Sequence, residues 1–431
     1  MLLEALVAIQ VLVVATILPD IRRDLGMVQL YGLVFTASSL ATLAAIPIVG
    51  RALDRFGART TLTPVLVCFT SGLIVSALAP SMPVLLIGQF LQGAGGGGLY
   101  ALSLGTVAKT YPDRLRPRVM ALLASMWILP GLIGPPVGAV IASTVGWRYA
   151  FLAPIPVLIV GYVLIAPALD LVPDPEPQED ELSNRWPLQL MVGAGLLFTS
   201  FTIIEPWTIA LSIAGLVIGI PALRRIVPPG TLRARPGTPA SAASAFLLSA
   251  GFLAMDAFLT LMLTSIRGLS LGVAGLAITG ASITWALGSA WQSGRADRMP
   301  LARLLSIGAA FTLFGQVLVA SALWIQVPLA VAFAGWAFVG LGMGIAFPTI
   351  PLAVMRAATP GRESGELSTV LLMDVLGVAA GAGLGGGAVA VAAAVDAPLS
   401  AGIGASFVIG FCALAVLLVV GRRISVAPPT G

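Results

Sequence analysis

Gly50-Arg51-Ala52-Leu53-Asp54-Arg55-Phe56-Gly57-Ala58-Arg59 (GRALDRFGAR) puts four charged residues and two glycines into ten positions. Apolar runs flank it, near 31–50 and 61–79. Each is about as long as the ~20 residues that cross a ~30 Å hydrocarbon layer at 1.5 Å per residue. A short charged island between two such runs reads as a loop at a membrane face. Gly57 permits a tight turn and Gly50 a close helix approach. Asp54, Arg55 and Arg59 have the signs needed for a charge cluster. A second island, Ser293-Gly294-Arg295-Ala296-Asp297-Arg298-Met299-Pro300, repeats the Arg-Ala and Asp-Arg pairs downstream.

The rest of the chain has the same grain. Of 431 residues, 58% are hydrophobic and only 10% charged, and the mean hydropathy is +1.02. Too few polar residues are present to cover a water-facing surface. Soluble enzymes, nucleic-acid binders and disordered scaffolds are excluded on that ground. The net charge of +5 sits in short loops and does not point to nucleic acid. The absence of histidine excludes histidine metal sites, Ser-His-Asp chemistry and histidine proton relays. No metal and no cofactor is expected, and no nucleotide-binding glycine loop ending in Gly-Lys-Ser/Thr occurs. Cys68 and Cys412 lie in apolar runs, where neither a disulfide nor a thiolate nucleophile is expected. One lysine against twenty-two arginines points to a GC-rich bacterial genome.

Fourteen apolar runs can be counted, near 1–19, 31–50, 61–79, 83–108, 118–143, 150–168, 187–204, 206–222, 240–264, 270–291, 302–322, 326–350, 367–393 and 401–421. The seventh and eighth are short and divided only by Glu205-Pro206; if they lie on the surface, the count is twelve. The first is read as a span, not as a cleaved signal peptide. With both termini in the cytoplasm, nineteen of the 23 lysines and arginines fall on that side. Only Arg22, Arg23, Arg148 and Arg267 fall outside. That asymmetry sets the orientation. The expected fold is an all-α membrane protein with a six-helix half over 1–169 and a second over 240–431. Segment 170–239 holds an acidic linker (DLVPDPEPQEDELSNRW, 170–186), an extra two-helix hairpin and a basic linker (RRIVPPGTLRARPGTP, 224–239). Two related halves suggest a secondary transporter with its binding site near the midplane between them.

GRALDRFGAR resembles the motif after the second helix of major facilitator superfamily transporters. In that family the charge cluster latches the outward-facing state, which implies latch roles for Gly50, Asp54, Arg55, Gly57, Arg59, Asp297 and Arg298. Pro130-Gly131-Leu132-Ile133-Gly134-Pro135-Pro136-Val137-Gly138-Ala139 resembles the antiporter signature of the drug-efflux branches, intact at Gly134, Pro135 and Gly138. The same glycine pair, four residues apart, also fits an ordinary helix-packing face. Gln89-Phe90-Leu91-Gln92-Gly93 resembles the fourth-helix motif, matching at Gln92 and Gly93, with Gln89 where the family carries a coupling arginine. Ala15-Thr16-Ile17-Leu18-Pro19 resembles the family's first-helix ending. Gln10 stands where fourteen-helix drug:proton antiporters place an aspartate. Gly146-Trp147-Arg148-Tyr149-Ala150-Phe151 resembles the stretch before the sixth helix. The resemblance spans essentially the whole chain and implies the major facilitator fold.

Charged residues inside a span cost about 2.5–3.5 kcal/mol on insertion scales, so they line cavities or have partners. Asp256, Asp374 and Glu4 are the candidates for proton coupling. A carboxyl held away from water keeps its proton to higher pH, as a proton-exchanging site needs. Neutral, hydrogen-bonded aspartates stabilising helix packing are the alternative. Asp20 and Asp24 lie at span ends and are expected to be solvated. Gln10, Trp127 and Trp285 are candidate cavity residues, and Trp147 and Trp186 candidate interfacial anchors. The expected function is proton-coupled export of small amphipathic or cationic compounds from a bacterial cytoplasmic membrane, by a monomer. A dedicated exporter of a metabolite, siderophore or antibiotic, a proton-coupled importer, and a non-transporting receptor on the same fold remain open alternatives.

Overall fold

The computed structural model describes residues 2–110, 128–171, 184–202, 207–357 and 363–424. Every regular element among them is helical. The helices are α1 (Leu2–Leu25), α2 (Tyr31–Phe56), α3 (Ala58–Ala77), α4 (Met82–Thr110), α5 (Ile128–Thr144), α6 (Trp147–Leu152), α7 (Pro154–Ile165), α8 (Arg185–Ser200), α9 (Thr208–Ile226), α10 (Thr238–Ser265), α11 (Leu271–Ser293), α12 (Leu301–Ser321), α13 (Leu329–Ala357), α14 (Glu363–Ala394) and α15 (Leu399–Val420). Eleven stretches of the described residues are long and apolar enough to cross a membrane, α6 and α7 counting as one. They correspond to eleven of the fourteen expected spans. Of the other three, 83–108 lies on the glycine-rich α4, 118–143 falls partly outside the described residues, and 187–204 lies on α8 as far as Ser200, with 203–204 outside the described residues. At 16 residues, α8 is about 24 Å long.

The chain divides into two units, Met1–Met27 with Ala37–Val192, and Val28–Thr36 with Gly193–Gly431. This division does not coincide with the expected boundaries at 169/170 and 239/240. The hairpin groups, from Gly193 onward, with the second unit because Phe198 fits against Gly383 and Phe201 against Gly387 of α14. Helices α8 and α9 are antiparallel and in close register. Gly193 meets Gly219, Gly215 meets Leu197, and the Ser200 and Ser212 hydroxyls are 2.7 Å apart.

Glycine sets the packing inside each unit. In the first, α4 lies against α2 at Gly93 and Gly97, which face Ser38 and Thr42, and against α3 at Gly88 and Gly95, which face Ser76 and Phe69. The Thr42 hydroxyl donates to the Gly93 carbonyl at 2.9 Å. In the second unit, α13 repeats this pattern. Gly340 and Gly344 face Ala281 and Trp285 of α11, and Gly335 and Gly342 face Leu318 and Thr312 of α12. Small residues let helix backbones approach, which matters in lipid because no hydrophobic force pulls helices together there.

One arginine fastens the loops at one end of each unit. Arg148 donates to Asp24 Oδ2 (2.6 Å) and the Ala79 carbonyl (3.1 Å) and lies 4.2 Å over the Trp147 ring. Trp147 Nε1 donates to the same Asp24 oxygen at 3.1 Å. Trp147, expected as an interfacial anchor, is 6% exposed and serves this cluster instead. Asp24, expected to be solvated, is exposed and at the same time serves as the acceptor of this cluster. Arg267 fans onto the carbonyls of Ala322, Trp324 and Val327 at 3.1, 2.8 and 2.7 Å, tying the α10–α11 turn to the α12–α13 loop.

Candidate functional site

Helix α10 carries the central features. Asp256 is half-buried and has no hydrogen-bond or ion-pair partner among the described residues. One turn earlier, about 6 Å along the same helix face, stands Phe252. Its ring stacks on Trp336 of α13 (5.6 Å, 17°) and meets Trp285 of α11 edge-on (5.8 Å, 85°). Trp285 in turn lies 5.8 Å from Phe347. Trp336 is fully buried, whereas Phe252 and Trp285 are half-buried and Phe347 is exposed. A carboxyl without a cationic partner, set one turn from an aromatic wall, is a favourable environment for an organic cation.

Asp374 differs. On α14 it accepts a hydrogen bond from the Ser249 hydroxyl of α10. Ser249 is two turns, about 10 Å, before Asp256 on the same face. A second bond of this kind, from the Thr238 hydroxyl to the Glu366 carboxylate, joins the same two helices. Between and beyond these contacts Gly377 and Gly381 press on the backbone of Phe246 and Ala250. The two intramembrane aspartates thus occupy unlike settings, one engaged and one open. The Glu4 side chain and Trp127 lie outside the described residues.

The loop motif is built from packing as well as charge. Gly57 has φ +80°, and its amide accepts the turn by donating to the Leu53 carbonyl at 3.1 Å. Leu53, 1% exposed, fills the space that Gly105 of α4 leaves. The close approach expected at Gly50 is not made there: a Cβ at that position meets nothing within 4 Å among the described residues. Leu53 with Gly105 supplies it one turn later. Arg51 donates to the Asn184 side chain, and Arg55 lies 5.3 Å over the Phe56 ring. Asp54 and Arg59 each have an interaction partner. In the second copy Asp297 accepts from Arg356 at 2.5 Å, and Arg356 also donates to the Ala296 carbonyl at 2.9 Å. Arg298 is exposed, and Arg295 lies 4.2 Å over Trp291. The role of Arg356 escaped the sequence reading, since it is one arginine among many at a helix end.

The remaining motif residues face inward within the first unit. A Cβ added at Gly134 would lie 3.4 Å from the Leu12 side chain and one at Gly138 3.0 Å from that of Val13, so the pair forms a seam with α1; Pro135 is buried in a helix that runs continuously through it. Gln92 donates to the Ser76 hydroxyl (2.8 Å) and the Gly72 carbonyl (3.3 Å), and Gln89 donates to Ser76 at 3.4 Å. The glutamine standing at the family's arginine position therefore hydrogen-bonds within the α3–α4 pair. Gln10 is 2% exposed, and neither of its amide atoms has a partner among the described residues. Also among the described residues, no three His, Cys, Asp or Glu side chains converge as a metal site would require.

Residues 1–373 match the family model described as Major Facilitator Superfamily. "Probable multidrug-efflux transporter Rv1634" of Mycobacterium tuberculosis is 25% identical over 400 residues, covering 88% of this chain and 84% of that one. "Efflux pump FUS6" of Gibberella moniliformis is 31% identical over 231 residues, or 51% of this chain and only 40% of the relative. Among solved structures, an auto-inhibited POT family peptide transporter superposes with a TM-score of 0.71 at 13% identity, covering 99% of this chain and 97% of that one.

Proposed function

The chain belongs to the Major Facilitator Superfamily, and from that premise we propose that it exports small lipophilic cations in exchange for protons by alternating access. The observation that carries this reading is the unpartnered Asp256 carboxyl one helical turn from Phe252, whose ring meets Trp285 and Trp336. A single carboxylate binds either a proton or a cation. When the two compete for one group, arrival of one expels the other, and that competition is the elementary step of antiport. The aromatic rings favour delocalised, poorly hydrated cations over sodium or potassium. The names of the relatives, multidrug-efflux transporter and efflux pump, fit this substrate class.

In this reading the molecule is a monomer with both termini on the cytoplasmic side of a bacterial plasma membrane, and the hairpin brings the crossings to fourteen. Asp374, already engaged by Ser249, is a supporting group. The charged loops at Gly50–Arg59 and Ser293–Pro300 act as latches for one access state.

The test is proton flux in proteoliposomes, read by a pH-sensitive dye, on addition of tetraphenylphosphonium or ethidium. Wild type is expected to move protons on addition and Asp256→Asn to lose at least nine-tenths of that signal. Full flux in the variant would assign the exchange to another group, with Asp374→Asn next. Silence of the wild type with every cation would sink the multidrug reading in favour of a dedicated exporter.

A further inference from the structure

The second unit carries a cluster of arginines that transport does not use. Segment 224–239, RRIVPPGTLRARPGTP, contains four arginines and no acid, and Arg422 and Arg423 follow α15. Read from composition alone, this is a loose basic tether. The structure folds it. Residues Thr231–Arg233 form a 3-10 turn, Gly230, Ala234 and Gly237 adopt positive φ, and the Thr231 hydroxyl donates to the Pro228 carbonyl at 2.8 Å. Val227, Thr231 and Ala234 are buried. The Gly237 amide donates to the Arg423 carbonyl at 3.1 Å, while the Arg423 guanidinium donates to the carbonyls of Arg233 (3.5 Å) and Ala234 (3.4 Å). The segment is thus stapled to the end of α15.

That fold turns its backbone inward and its cations outward. Arg224, Arg225, Arg233, Arg235, Arg422 and Arg423 are all exposed. Arg224, Arg233, Arg235 and Arg422 have no side-chain partner among the described residues. The nearby Glu366 carboxylate already accepts from Thr238. The patch sits at span ends: Arg224 and Arg225 end α9, and Arg422 and Arg423 follow α15, both helices long and apolar enough to cross a membrane, so the cations are expected at headgroup depth. Leu232, 63% exposed, stands beside Arg233. Cations at headgroup depth with an apolar side chain among them form a surface for lipid; a soluble anion would have no use for the leucine.

We infer that this stapled patch, centred on Arg233, Arg235, Arg422 and Arg423, binds the phosphate headgroups of anionic phospholipids, with Leu232 inserted at the acyl boundary. Guanidinium forks match phosphate oxygens bidentately, and basic clusters beside membrane spans attract anionic lipid. A pre-folded array loses less freedom on binding than a tether would. The inference stands apart from the transport reading.

The test is native mass spectrometry of the full-length detergent-solubilised chain with phosphatidylglycerol or phosphatidylcholine. Wild type is expected to retain phosphatidylglycerol at least tenfold more than phosphatidylcholine. The triple variant Arg233→Gln/Arg235→Gln/Arg422→Gln is expected to bring that ratio below about threefold with its melting temperature in lipid-free detergent unchanged. The double variant Arg295→Gln/Arg298→Gln, at another arginine-rich loop, is expected to keep the wild-type ratio. Equal retention of the two lipids, an undiminished ratio in the triple variant, or an equal loss in the double variant would overturn the proposal. Displacement of phosphatidylglycerol by millimolar glycerol phosphate would overturn it in favour of a soluble-anion site.

Discussion

Asp256 and Asp374 look alike in sequence, each a lone acid in an apolar run, and the structure separates them by one hydroxyl. Ser249 engages Asp374; nothing among the described residues engages Asp256. The aromatic wall beside Asp256 separates further into support and contact. Trp336→Ala removes a fully buried ring and is expected to destabilise the chain by about 3–5 kcal/mol. Trp285→Ala removes a half-buried one and is expected to weaken apparent cation affinity about 3- to 30-fold, the span of one cation–π contact. Thermal unfolding in detergent and concentration dependence of the proton signal measure the two. The reverse pattern would mean that Trp285 is the structural ring. Asp256 was legible because a charge in an apolar run stands out. Of its companions Trp285 was already a cavity candidate, but its grouping with Phe252, Trp336 and Phe347 was not legible, since the rings come from α10, α11 and α13 and ring stacking is a tertiary fact. Trp147 shows the opposite failure. Its place at a span end suggested an anchor, but its N–H had a carboxylate within reach.

Helix packing shows what a composition hides. Glycines at 88, 93, 95 and 97 of α4 recur at 335, 340, 342 and 344 of α13, a constant offset that the notice of Arg-Ala and Asp-Arg pairs did not reveal. Glycine supplies 49 of 431 residues, so any single coincidence carries little weight; the contacts identify which glycines matter. Gly134 and Gly138 of α5 likewise correspond to Gly377 and Gly381 of α14, the first pair facing α1 and the second α10. Their common duty is close packing, so the pair by itself says little about direction of transport. A contrast follows for measurement. Gly93→Ala would drive a methyl into the Ser38 carbonyl and is expected to cost about 1–3 kcal/mol or to abolish folding. Gly50→Ala meets open space in a helix and is expected to be neutral or to stabilise by up to about 1 kcal/mol. Melting temperatures of the two purified variants decide it, and equal losses would refute the packing account.

At the scale of the molecule, counting apolar runs recovered the eleven strong spans, and the arginine bias supplied an orientation. Allocation of elements to units was not legible. Val28–Thr36 belongs with the second unit although its neighbours on either side do not, because Gly32 meets Gly386 and the Thr36 hydroxyl donates to the Ala379 carbonyl at 3.2 Å. Such pairings link residues some 350 positions apart and leave no local pattern. The hairpin can be tested directly. In a variant whose two native cysteines are replaced by serine, Trp207→Cys places a thiol at the exposed turn before α9. If α8 and α9 cross the membrane, an impermeant maleimide added outside whole cells labels it. If only inverted vesicles allow labelling, the hairpin lies along the cytoplasmic face and the crossings number twelve.

The Arg267 fan has a practical consequence. It holds three carbonyls of the α12–α13 loop, and that loop displays Trp324 and Ile325 at 65% and 72% exposure. A fastened loop that presents a large ring is a ready-made epitope. A nanobody raised against it would meet its target already shaped, losing little to ordering the antigen. Bound there, it would add the protruding mass that image alignment needs for a small protein otherwise hidden in its micelle.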